Sequence, residues 1–520
     1  MENTLRTDWD VIVVGGALSG SATTCLLLRR NPKLRVLILE RTDQLKRRVG
    51  ESTVEISAYF LGRVLGLTDH LLEKHLPKQG MRFWFANEET RAFDQCSETG
   101  PRYNVRLPGY QVDRAVLDEH VLATVVSEGA VLRRLVRVRK VRLEEGGAQT
   151  VEWDDADNVA QKATARWVVD ASGVAALLAR QEGWHRPNNA HPTATCWSRW
   201  SGVRSLDDRK IADKYPGWAN RANGIRSTAT NHLTGYGWWA WIIPLKGGDV
   251  SIGVVYDQRI TALPPGPNLG TRLLEMLNTH PIAREILADA TWHEGDMHFR
   301  RNLAYYSTTY ATDGAVLVGD AAAFIDPFYS PGMDWISFSA SAAAALIHDS
   351  FRGKPVGPRV ARHNAHFVLS HDRWFRALYQ DKYYYMGDFE LMTLAFRLDL
   401  GLYYLGIVTQ PFKHGTRVLE TPPFAHAKSR WAFSLMELYN RRLVAIARSR
   451  QRRGTWGRNN ALQYFGFISY EFNRRLLVRV AGLVLQWVAL EVTEGWRSWW
   501  SQDPVPAFNP HPTKPISVPV

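Results

Sequence analysis

The chain has 520 residues and a mass of 59.0 kDa; 45% of its residues are hydrophobic and its formal net charge is +13. A chain of this size and composition buries large cores and more than one structural unit, which excludes a disordered or small disulfide-stapled protein. Its three cysteines, Cys25, Cys96 and Cys196, are widely spaced with no Cys-x-x-Cys pair, so neither a disulfide framework nor a zinc site is expected; no metal is assigned, and a reducing cytoplasm is the expected compartment.

In chain order, residues 9–16 (WDVIVVGG) read as a buried strand of the parallel type that ends in glycines. So little sequence precedes this strand that no signal peptide is expected. Residues 19–30 read as a helix and 34–40 as a second strand, which together make one βαβ unit. Its turn, Gly15-Gly16-Ala17-Leu18-Ser19-Gly20, follows the Gly-x-Gly-x-x-Gly rule except at Ala17, where Gly16 takes up part of the middle glycine's role. The helix from Ser19 offers its first amides to a pyrophosphate. Glu40, about 20 residues past Gly20, suits a ribose 2′-hydroxyl and favours FAD or NAD over NADP.

Apolar runs at 131–143, 150–153 and 167–170 read as further strands, and those at 193–203, 235–244 and 250–256 as a mostly antiparallel layer. Residues 313–320 (DGAVLVGD) read as a late strand and 335–350 as a small-residue helix. From about 357 to 500 the pattern is helical and rich in Tyr, Trp and Arg; the last 20 residues, with six prolines, read as a disordered or extended tail. The stretch 476–492 is the most hydrophobic, but Arg479, Gln486 and Glu491 interrupt it. A membrane span wants about 20 mostly uncharged residues, so a buried or partner-facing helix is expected there. Peripheral membrane contact through it and Trp496, Trp499 and Trp500 is a minor alternative. Residues 421–500 hold 13 Lys/Arg against 4 Asp/Glu. That excess reads as a solvated helix face, or as attraction to an acidic carrier protein or anionic surface. No nucleic-acid module accompanies it, and nucleic acid is not an expected partner.

Residues 239–244 read Trp-Ala-Trp-Ile-Ile-Pro, which fits the Trp-x-Trp-x-Ile-Pro fingerprint of flavin-dependent halogenases. Two indoles one residue apart on an extended segment share a face, and such a wall separates a flavin from an organic substrate. The plain alternative is core packing in a chain with 20 Trp. Gln111-Val112-Asp113-Arg114 resembles the segment that carries a flavin-contacting arginine in class A flavin monooxygenases. Asp170-Ala171-Ser172-Gly173 resembles their strand-end turn near the adenosine half, and Gly319-Asp320-Ala321-Ala322 their Gly-Asp-Ala motif, whose Asp holds FAD hydroxyls. Gly50-Glu51-Ser52 resembles the halogenase loop beside the flavin. Residues 77–84 resemble the Lys-x-Gly-x-x-Phe segment of halogenases acting on phenols and pyrroles, which puts the family's lysine on Lys78. Asp326-Pro327-Phe328-Tyr329-Ser330-Pro331-Gly332 matches the segment that approaches the flavin ring and holds the halide. Pro331 has no N–H to give an anion, which leaves Ser330, Gly332 and Met333 for the halide and Pro327 and Gly332 beside the flavin. Tyr329 stands where tryptophan halogenases carry a glutamate, so free tryptophan is not the expected substrate.

Over roughly residues 8–350 the chain thus resembles the flavin-dependent halogenases. The resemblance implies an α/β fold with a Rossmann-like FAD-binding domain of the p-hydroxybenzoate hydroxylase type over 1–350. A mostly antiparallel β layer is interleaved in it at about 76–110 and 190–305, followed by a helical C-terminal region over 351–500 and the tail 501–520. It implies FAD used as FADH2 from a separate flavin reductase, with O2 and chloride or bromide. Hypohalous acid then passes the Trp239/Trp241 wall to Lys78, whose ammonium donates to its oxygen. Halogen is delivered to a small electron-rich aromatic, a phenol, pyrrole or resorcinol-like ring, free or on an acyl-carrier protein. Glu51 and His232 are the candidates for acid/base tuning; Tyr383, Tyr384 and Tyr385 read as helix packing or pocket lining. An FAD monooxygenase or oxidase without halide chemistry is the alternative that Pro331 favours. A third reading is a carrier- or membrane-associated protein with structural FAD.

Overall fold

The computed structural model describes residues 7–107, 109–467 and 474–499; the proline-rich tail and Trp500 lie outside the described residues. Strand Trp9–Val14 runs parallel to Val36–Leu39 on one side and to Ala160–Asp170 on the other. Val131–Arg133 and Ala315–Leu317 extend this parallel sheet, and helix Leu18–Arg30 makes the first crossover. Val11, Ile12 and Val13 have no exposed surface, as a parallel strand covered on both faces requires.

The stretch 131–143 divides in two at Leu135, whose φ of 57° is left-handed. Its second half, Arg137–Arg142, pairs antiparallel with Gln149–Asp154, and an irregularity between Val138 and Lys140 sets Val138 against Trp153 and Val141 against Val151 on one face. The late strand shrinks to Ala315–Leu317, and Gly319–Ala321 is a 3-10 turn. The following helix, Pro331–Phe351, begins four residues earlier than its apolar pattern suggests. Proline suits that first position, where an N–H has no intrahelical acceptor in any case.

The second sheet runs Thr291–Trp292, Thr193–Ser201, Val250–Asp257, Trp238–Pro244, Thr230–Gly235, Met81–Phe85, Ser97–Pro101 and Tyr464–Phe467. It is mostly antiparallel, with Met81–Phe85 parallel to Thr230–Gly235. Its last strand corrects the all-helical expectation for 357–500: Tyr464–Phe467 pairs parallel with Ser97–Pro101. Three aromatics in four half-buried residues fit a sheet edge better than a helix.

Helices Val356–Leu378, Phe389–Tyr403 and Arg430–Arg452 pack in the C-terminal region, and one apolar cluster runs from Val11 to Trp487. Among the described residues two helical segments are long and apolar enough to cross a membrane. The most apolar stretch of Phe389–His414 is 67% buried within the fold, whereas that of Arg475–Thr493 is only 22% buried.

Candidate active site

A cavity of about 870 Å³ is walled by both sheets. Gly15, Ala17 and Ser19 of the first turn line it, with Glu40, Gly50, Glu51, Ser52, Arg114 and Asp320. Pro327, Ser330, Gly332 and Met333 close it, together with Trp239 and Trp241. The glycines of the turn are fixed by close backbone approach. Gly15 has φ +103°, and a Cβ there would lie 2.4 Å from the Ala171 carbonyl oxygen; one on Gly20 would lie 2.0 Å from that of Gly15. A side chain at either position would collide with that backbone and break the turn. Gly319 (φ +57°) abuts Ser19 in the same way.

The acids are held before any ligand arrives. Glu40 accepts from Gly16 N at 2.8 Å through Oε2, and from Thr42 N at 3.0 Å through Oε1. Asp170 does not face the cavity. It is buried beneath the turn and accepts from Ser172 N and Leu178 N at 2.9 and 2.8 Å, which leaves Ala171, Ser172 and Gly173 as the lining. Arg114 grips Asp118 through two bonds of 2.9 and 3.0 Å. Glu51 accepts from Arg199 Nη2 at 2.6 Å, and Arg199 also donates to Asp113 Oδ2 at 2.8 Å. Burial pushes the Glu51 carboxyl upward while Arg199 opposes the shift. Glu51 is therefore an ion-pair partner that ties the 50–52 loop to the second sheet, not an unengaged acid. His232 is buried against Phe83 with ring centroids 4.8 Å apart, and burial drags it down to about 3, so it is neutral near pH 7.

Trp239 and Trp241 share one face of strand Trp238–Pro244, with ring centroids 5.9 Å apart and 2% and 7% exposure. Gly253, opposite Trp241 across the sheet, makes room for it: a Cβ there would lie 2.4 Å from the indole. Trp239 Nε1 donates to Tyr383 Oη at 3.0 Å; Tyr383 in turn donates to Asp326 Oδ2 at 3.0 Å, which His191 Nε2 also contacts at 2.7 Å. Tyr383 thus anchors the wall, a role that its setting among helical aromatics does not announce.

A second cavity, of about 930 Å³, lies on the far side of Pro331 and Trp374, which line both. Phe338, Phe396 and Tyr403 supply apolar surface, and Glu55 and Asp334 supply two carboxyls. Lys78, at the end of the short strand Leu76–Lys78, is 2% exposed and lines neither cavity's surface directly. Its Nζ donates to Ser52 Oγ and to Thr53 O, each at 2.8 Å. Ser52 lines the first cavity, while Glu55 and Asp334, which line the second, attract the ammonium electrostatically. Burial nevertheless pulls Lys78 down to about 8. Asp334 accepts from Ser57 N at 2.9 Å and from Tyr403 Oη at 3.1 Å, and burial pushes it up to about 7. Glu55 accepts from Tyr404 Oη at 2.7 Å and is also raised by burial.

Neither carboxyl stands out in the sequence. The one available signal for Asp334 is an acid in the first turn of a helix opened by proline. At that turn Tyr329 and Ser330 are both left-handed, at φ 67° and 57°. Helix geometry leaves the Gly332 and Met333 amides without an intrahelical acceptor. The Ser330 amide already donates to Pro327 O at 3.0 Å, and Tyr329 turns toward the second cavity, where its hydroxyl donates to Asp399 Oδ2 at 3.0 Å.

A protein-family model, tryptophan halogenase, matches residues 85–375. Flavin-dependent halogenase chlA of Dictyostelium discoideum is 29% identical over 381 residues, 67% of this chain and 61% of that protein. Flavin-dependent halogenase armH5 of Armillaria mellea is 26% identical over 360 residues, 66% of this chain and 65% of that protein. The match to these two relatives thus spans somewhat under two thirds of their own length. Among solved structures, halogenase PltM in complex with phloroglucinol and FAD superposes with a TM-score of 0.71 at 17% identity, covering 92% of this chain and 96% of that one. The myxobacterial chondrochloren halogenase CndH superposes with a TM-score of 0.60 at 23% identity, covering 92% and 97%. These likenesses establish the Rossmann-like α/β fold with its helical C-terminal region. With more than half of the sequence matched by the family model, the chain belongs to the tryptophan halogenase family.

Proposed function

We propose that this protein is an FADH2-dependent halogenase that uses O2 and chloride or bromide to halogenate an electron-rich arene. The observation that carries the reading is Lys78, buried between a cavity shaped for a dinucleotide and a second, apolar cavity. The first cavity fits FAD on its own features: the tight turn that only glycine at 15 and 20 allows, the amides of helix Leu18–Arg30, and Glu40 and Asp320 in the lining. Gly50, Ser52, Arg114, Pro327 and Gly332 complete the proposed contacts, with Asp170 holding the neighbouring turn. When bound, the reduced flavin supplies with O2 the two-electron oxidant for a halide.

The chain's own residues do the rest. The Gly332 and Met333 amides and the Ser330 hydroxyl hold the halide at the start of helix Pro331–Phe351. The indoles of Trp239 and Trp241 close the flavin cavity, and Pro331 and Trp374 stand between it and the second. Lys78 Nζ, giving up its bond to Ser52 Oγ at the wall of the first cavity, donates to the oxygen of hypohalous acid, so that the O–X bond breaks toward water as the carbon–halogen bond forms. In the second cavity, Asp334 is placed to take a phenolic proton from the acceptor, which raises the ring's nucleophilicity. Glu51, paired to Arg199, positions the loop that Lys78 leans on.

PltM holds phloroglucinol, which supports a hydroxylated ring over a pyrrole here, and the carboxyls of Glu55 and Asp334 suit such a donor. A flavin reductase is the partner that this chemistry needs, and the acceptor is free or carrier-bound. The competing reading, a monooxygenase on the same scaffold, draws on Pro331 alone. Mass spectrometry separates the two. Incubation with a reductase, O2, halide and a panel of phenols is expected to yield halogenated products only when halide is present. Hydroxylated products formed regardless of halide would overturn the proposal.

A further inference from the structure

Helix Arg474–Thr493 is apolar on two sides. Leu476, Val480, Leu483 and Trp487 are buried against the fold at 2–9% exposure. At about 100° per residue, Leu477, Ala481, Leu485, Val488, Val492 and Val478 form a second, continuous stripe beside that buried face. Its large members are open to solvent: Leu477 58%, Val478 73%, Leu485 69%, Val488 44% and Val492 70% exposed. Trp496 and Trp499 continue the stripe at 45% and 58% exposure. An exposed apolar run of this length on a soluble face is uncommon and marks a contact surface.

The charge around the stripe indicates the partner. Arg479 and Arg497 are exposed, and both acids among the described residues of this segment are neutralised. Glu491 is bound by Arg442 at 2.8 Å and Glu494 by Arg450 at 2.8 Å. What remains is an apolar strip with a basic flank and tryptophans at one end, the composition of a helix that lies in the headgroup layer of a membrane. A spanning orientation is ruled out by the buried face, which packs on helix Phe389–Tyr403: Val480 fills the space beside Gly401, and Arg397 donates to Gln486 at 3.1 Å. Two copies joined through this face would bring like charges together along their rims.

We propose that the exposed face of helix Arg474–Thr493, continued by Trp496 and Trp499, docks on an anionic lipid surface. The helix beneath it also lines the second cavity through Phe396, Asp399 and Tyr403, so docking sets that cavity one helix away from the lipid.

The test is co-sedimentation of the full-length protein with phosphatidylcholine vesicles, with and without phosphatidylglycerol. Binding is expected on the anionic vesicles, with a blue shift of tryptophan emission and weakening by salt. The pair Leu485→Glu and Val488→Glu should lower it more than about tenfold, since each substitution puts a negative charge where apolar surface meets anionic lipid. Both sites are solvent-facing, so an unchanged melting temperature verifies the fold. Three results would overturn the proposal. The first is no binding to either vesicle. The second is sedimentation velocity showing that the same substitutions split a dimer. The third is binding that appears only after residues 501–520 are removed, which would make the tail the occupant.

Discussion

The Trp239 indole is held by the Tyr383 hydroxyl, 3.0 Å from its Nε1, across 144 residues of sequence. Tyr383 passes the constraint on to Asp326, on the segment that also leads to Pro331. The Trp239/Trp241 pair and the 326–331 segment are thereby joined through one phenol. Tyr383→Phe leaves the buried indole N–H without its acceptor, at a cost of about 1–3 kcal/mol. The expected outcome is a lower melting temperature with flavin loading retained, read by differential scanning fluorimetry with and without FAD.

Pro331 removes one amide from the first turn of its helix. If halide sits there, Pro331→Ala adds an N–H donor aimed at an anion. One such bond is worth at least about 1.4 kcal/mol, so the halide KM should fall by about tenfold with kcat little changed. An unchanged halide KM would place the anion elsewhere.

The pH profile follows from two buried groups. Asp334 serves as a base only when ionised, so activity should rise as pH climbs through about 7. Lys78 serves only as an ammonium, so activity should fall as pH climbs through about 8. Because the two groups interact, the limbs of this narrow bell belong to the pair. Asp334→Asn should erase the rising limb and lower kcat by about a hundredfold or more. It should also raise stability. The folded Asp334 keeps its proton between the unfolded value of 3.8 and about 7, so wild-type stability drops as pH rises through that window. The variant's gain in melting temperature should therefore be larger at pH 8 than at pH 4.

Gly253 is the floor on which Trp241 lies. Gly253→Ala pushes a methyl group to 2.4 Å from the indole and 2.5 Å from Trp197 Cβ, which overpacks the wall by about 1–3 kcal/mol. The expected result is a lower melting temperature and a smaller share of oxygen consumption appearing as halogenated product.

Local features of this molecule could be read from the chain. The βαβ unit, the glycine turn and Glu40 follow each other at fixed spacing, and the alternation of strand side chains put Trp239 and Trp241 on one face. What escaped depends on distant pairing. Arg199 lies 148 residues from Glu51, so nothing near Glu51 reveals that its carboxylate is engaged. Asp334 was hidden because the apolar pattern of its helix starts only at Trp335, and its role depends on where Pro331 sets the first turn. Tyr464–Phe467 reads as part of a helical region because its partner strand, Ser97–Pro101, lies far upstream. Asp170 sits in the expected motif, yet its carboxylate turns inward to cap the turn.

The central claim is that Lys78 hands halogen from one cavity to the other. Lys78→Met keeps the length and burial of the side chain but removes the donor. The decisive measurement compares halogen in the arene with oxidation of a soluble thiol trap, for wild type and Lys78→Met, under a reductase, O2 and bromide. Wild type is expected to brominate the arene with little reaction of the trap, and Lys78→Met to leave the arene unmodified while the trap is oxidised. Bromination of the arene by Lys78→Met at the wild-type rate would contradict the account.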